Sequence, residues 1–150
     1  MTDADAFRAW AKGSYTIEAA TELLLRAFGG RFAAPGNPWV HVDSTDGDHP
    51  KTAWIDFEAI PEHTGPLSGG ERRLLAIAAS IAEDVPIVLG DVIPGLDRDV
   101  LDLVLAALAH AGGSHEHTDG HFSGNGTFVL GRGYADSLHP WPRESPGSHG

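Results

Sequence analysis

The sequence predicts an α+β fold: about four helices packed on a small antiparallel β-hairpin sheet, followed by an extended Gly/His/Pro-rich C-terminal tail. Several stretches carry apolar residues at the 3.6-residue spacing of an amphipathic helix. Two short neighbouring stretches alternate apolar and polar residues, the period of a half-buried strand. Beyond residue 112 the periodicity stops, and more than half of residues 112–150 are Gly, Ser, Pro or His. Such a composition buries little apolar surface. The expected organisation is a single globular domain over 1–111 and an extended or partly flexible tail over 112–150.

Residues 3–12 read as a short helix in which Phe7 and Trp10 share a face, ended by Gly13. Ser14 or Thr16 caps a second helix, whose stripe is Ile17, Ala20, Leu24, Ala27 and Phe28 and whose stop is Gly29-Gly30. A turn-rich connector leads to a strand over Trp39 to Asp43. After a polar loop centred on Asp46-Gly47-Asp48, a second strand starts at Thr52, with Ala53, Ile55 and Phe57 on one face and Thr52, Trp54 and Asp56 on the other. Trp39 and Trp54 are expected to stack across this hairpin. Glu58 to His63 reads as one helical turn.

Ser68-Gly69-Gly70-Glu71 is a capping box, opening a helix to about Glu83 with Leu74, Ile77, Ala78 and Ile81 inward, widened by Leu75, Ala79 and Ala82. Ile87-Val88-Leu89 reads as a buried strand or packed loop. Asp97 caps a helix over about 98–111 with the stripe Val100, Leu101, Val104, Leu105 and Leu108, and this helix is expected to pair with the one before it. In the tail, Thr127 to Leu130 reads as a strand, and Tyr134, Leu138 and Trp141 as anchors.

Composition narrows the function. The 150 residues include 21 acidic and 10 basic ones, for a net charge of −11. General nucleic-acid binding needs the opposite sign. The absence of Cys excludes disulfides, thiolate metal sites and cysteine nucleophiles. No apolar run reaches a membrane span, and the N-terminus is acidic rather than signal-like, so a cytoplasmic location is expected. Eight Arg against two Lys, with abundant Ala and Gly, suggest a GC-rich bacterial genome. The first reading is a non-catalytic acidic interaction or regulatory module that docks on a partner with a basic surface.

Two constellations offer alternatives. Leu67-Ser68-Gly69-Gly70-Glu71, continuing through Arg72 and Arg73 into an apolar helix, with Ile87-Val88-Leu89, Asp91 and Gly95-Leu96-Asp97 downstream, resembles the signature and Walker B segment of ABC-type ATPases. The resemblance covers residues 67–97. It implies an anion or phosphate site at Ser68, Gly69 and Gly70, because a helix N-terminus offers free N–H groups and the positive end of the dipole. The phosphate loop G-x-x-x-x-G-K-S/T is missing, and Val92 stands where that family carries its catalytic Glu.

The second constellation is His115-Glu116-His117-Thr118-Asp119-Gly120-His121. Imidazole and carboxylate are standard zinc ligands, so His115, His117, His121 and Asp119 are candidates for a divalent metal, in a metal-binding protein or a metal-dependent enzyme. The string resembles the H-x-H-x-D-H motif of the metallo-β-lactamase fold, with Gly120 as an extra residue. His110 reads as a dipole partner at a helix C-terminus.

Overall fold

A computed structural model describes residues 2–43, 51–116, 121–129 and 136–143, with the backbone alone at 121–122 and 128–129. The Asp46-Gly47-Asp48 loop, His117, Asp119, Leu130 and Tyr134 lie outside the described residues. The fold is α+β. The principal helices are α1 (Asp3–Ala11), α2 (Tyr15–Arg26), α3 (Gly69–Glu83) and α5 (Arg98–Ala111), with a single turn, α4 (Leu89–Val92). Strands β1 (Val40–Asp43) and β2 (Thr52–Ile55) form one antiparallel pair, and β3 (His121–Phe122) and β4 (Phe128–Val129) a second.

Caps fix the helix starts. Thr2 and Asp5 close a reciprocal capping box on α1, and Ser14, Ser68 and Asp97 cap α2, α3 and α5. After α2 the chain turns through three consecutive left-handed residues, Phe28, Gly29 and Gly30, with φ of 52°, 68° and 79°. A Cβ on Gly30 would lie 3.0 Å from the Leu25 carbonyl oxygen, so glycine is required there on two counts. Phe28 accepts the same conformation at a cost, and its ring meets Phe32 edge-on at 5.7 Å.

One buried cluster runs from Ala6 to Ala107 and takes side chains from α1, α2, both strands of the first hairpin, α3 and α5. Its centre is α2: Ala19, Ala20, Leu23 and Leu24 are fully buried, and α2 packs on both α3 and α5. α3 and α5 do touch, but each packs more extensively on α2 than on the other. Stripe spacing says which face of a helix is apolar but not which neighbour covers it, and α2 is apolar around enough of its circumference to take both.

Three further expectations change. On α5 the inward residues are Val100, Val104, Ala106 and Ala107, while Leu105 and Leu108 are 43% and 50% exposed. Small alanines let the helix approach α2 closely, and the flanking leucines are left at the rim. Residues 87–89 form no strand: Val88 and Leu89 are exposed, and Leu89 opens α4. Among the described residues no strand lies beside this segment for it to join. Trp39 and Trp54 do not stack. The register places His41 opposite Trp54, and their rings stack at 4.3 Å on the outer face. Trp39, just before β1, is buried and donates its indole N–H to the Phe32 carbonyl at 2.8 Å.

In the tail, β4 falls within the expected strand. Trp141 packs against the core, whereas the Leu138 side chain is exposed. Among the described residues no helix is long and apolar enough to cross a membrane.

Candidate functional site

The start of α3 is capped by its own side chains at Ser68 and Glu71. The Ser68 hydroxyl accepts from the Glu71 N–H at 3.3 Å, and the Ser68 N–H donates to Glu71 Oε1 at 3.0 Å. Arg31 pairs with the other oxygen of Glu71. A carboxylate thus sits at the positive end of the helix. An external anion centred on Ser68 would meet this charge, whereas Arg72 and Arg73 lie one turn into α3.

There a groove of about 330 Å³ runs between α3, the 3₁₀ segment Phe57–His63 and the chain entering α4. Ile60, Pro61, Val85, Pro86, Ile87 and Val92 supply apolar walls, and Gly69, Arg72 and Arg73 also line it. The Arg73 guanidinium lies between two glycines. A Cβ on Gly69 or on Gly95 would each come within 2.9 Å of its Nη1. Among the described residues neither Arg72 nor Arg73 has an ion pair or a side-chain hydrogen bond. A guanidinium offers five donors in a planar fork that matches a carboxylate or phosphate.

Of the anion residues read from sequence, Gly69 lies in this groove, Ser68 is engaged in its cap, and Gly70 has open space where a Cβ would stand. Arg72 and Arg73 were legible as the two residues following the capping box. Gly95 was part of the signature-like segment, yet its contact with Arg73 depends on the path of the chain between them.

Of the four metal candidates in the histidine region, only His115 has its side chain described. His115, in the turn Ser114–Glu116, stacks on His110 with ring centroids 4.3 Å apart and planes 12° off parallel. Tyr15 meets both edge-on. Parallel stacked imidazoles send their in-plane lone pairs along separate lines rather than to one metal. His110, on the last turn of α5, bonds Glu18 at 2.8 Å and so ties α5 to α2 as well as facing its own helix end. Glu18 also accepts from the Gly13 N–H. Burial pushes the Glu18 carboxyl up, but the Gly13 N–H, the His110 hydrogen bond and the charges of His110 and His115 outweigh it and hold it below the usual range. Among the described residues, the buried His115 Nδ1 has no hydrogen-bond partner. His117 and Asp119 lie outside the described residues, and of His121 only the backbone is described. Among the described residues no three His, Asp or Glu side chains converge as metal ligands.

No family model, no curated protein and no solved structure matches the chain at a significant level.

Proposed function

We propose that the protein is a non-catalytic interaction module whose docking site is the α3 groove, and that the groove receives an apolar peptide segment of a partner protein carrying a carboxylate. One observation carries this reading: two arginines without acidic partners among the described residues line an otherwise apolar groove in a chain of net charge −11. Acids are in excess, so an uncompensated guanidinium pair beside apolar walls supports a role in taking an external acid. The groove reverses locally the sign that net charge suggests, so the partner supplies the acid here rather than a basic surface. Apolar walls contribute affinity through burial, and the bidentate charge pair contributes orientation.

An array of hexapeptides varying in acidity and hydropathy tests this. Binding is expected to favour apolar peptides with one or two acids and to fall at least about tenfold with Arg72→Ala/Arg73→Ala. Binding indifferent to peptide acidity, or unchanged in the double variant, would overturn the reading.

A further inference from the structure

A second cleft of about 350 Å³ lies between α1, α2 and the end of α5, and it shares no lining residue with the α3 groove. Its lining includes Lys12, Thr21, Glu22, Arg26, His110 and Trp141. The segment 136–143 lies beside it as a strap: Arg26 donates to the Pro142 carbonyl at 3.2 Å, and Leu138 N–H donates to Ser114 Oγ at 3.1 Å. Arg26 also sits over the Trp141 ring at 5.0 Å. Trp141 thereby forms an apolar wall of the cleft.

The charges within the cleft are mostly engaged with one another. Glu22 accepts from Arg8 and from Arg26, and Glu18 is bonded to His110. Lys12 has no ion pair among the described residues. With Glu22 taken up by Arg8 and Arg26 and Glu18 by His110, Lys12 adds a positive charge to the lining. Thr21 is 1% exposed, and among the described residues its hydroxyl has no hydrogen-bond partner. A buried hydroxyl without a partner is costly, and this one belongs to a residue of the cleft wall. The Thr21 hydroxyl is thus an unused donor among the described residues, and Lys12 is a cation of the same lining without an ion pair there.

We infer that this cleft binds a small carboxylate-bearing molecule, its anionic end taken by Lys12 and Thr21 and its body held against Trp141. The site is independent of the α3 groove. The test uses the full chain, titrated with a panel of short-chain mono- and dicarboxylates and their uncharged amides. The readout is the Trp141 indole N–H and Thr21 amide resonances. At least one acid is expected to give saturable shifts below about 10 mM, with its amide at least about tenfold weaker. Thr21→Val keeps the side-chain shape and removes the donor, and Lys12→Gln removes the charge at an exposed position. Each is expected to weaken binding several-fold with the far-UV spectrum unchanged. Absence of shifts from every acid, equal binding of acid and amide, or unchanged affinity in both variants would overturn the inference.

Discussion

Arg73 shows how a side chain's availability is set by residues that lack one. Gly69 and Gly95 give its guanidinium a slot, and the contact each added Cβ would make is with the far end of a flexible chain. Gly69→Ala is therefore expected to displace the guanidinium rather than the backbone. The thermal midpoint should stay within about 2 °C of wild type, while peptide affinity in the groove falls. Gly95 differs, because its φ of +93° penalises any side chain. Gly95→Ala should lose both stability and binding, and calorimetry on the two variants separates these effects. At the other end of α3, Asp84 is left-handed, with φ of 57°, and sets a carboxylate at the negative end of the helix. Asp84→Gly removes both penalties and should stabilise the protein by about 1 kcal/mol in urea denaturation. A loss of stability would show that Asp84 holds some contact of its own.

At the scale of elements, α2 carries the fold, and its polar face is tied to neighbours too. Glu22 joins α1 through Arg8 and reaches the 136–143 strap through Arg26. Burial raises its carboxyl, but the hydrogen bonds and charges of Arg8 and Arg26 win and lower it below the ordinary glutamate value. A carboxylate depressed in the folded state contributes stability that is fully present above its unfolded value and is lost as pH falls through its folded value. Unfolding free energy should hold from neutral to about pH 5 and then decline, with a shallower decline in Glu22→Gln. Stability that rises on acidification below about pH 5 would contradict this.

The inward stripes make a separate prediction. Leu74→Ala should cost about 2–5 kcal/mol, because Leu74 is fully buried, whereas Leu108→Ala should cost under about 1 kcal/mol at its exposed position. Equal losses in denaturant titrations would contradict the observed rotation of α5. Much at this scale was legible. Periodicity and capping residues mark α1, α2, α3 and α5, and alternation marks the first hairpin. Which helix is central was not legible, since a stripe does not name its partner. The exposure of Val88 and Leu89 was hidden too, because a short apolar run reads alike whether a neighbour covers it or not. Of the candidate site, the capping box was plain in the sequence. The slot around Arg73 and the bond from His110 to Glu18, 92 residues apart, arise only when the chain is folded.

Across the whole molecule, net charge is a poor guide to what the surface presents. The −11 of the chain includes acids consumed in caps, as at Asp5, Glu71 and Asp97, and in ion pairs, as at Glu22. Cations gather instead at two concave places, the α3 groove and the cleft beside Trp141. Binding at the groove should weaken as salt rises, because its charges are partly open to solvent. The most direct measurement is isothermal titration of the best acidic-apolar hexapeptide, and of its amide twin, into the wild-type protein and into Arg73→Ala. The predicted result is saturable binding of the acidic peptide to wild type, with the amide twin and the variant each at least about tenfold weaker. Equal affinities across all four combinations would contradict a groove built to receive an acid.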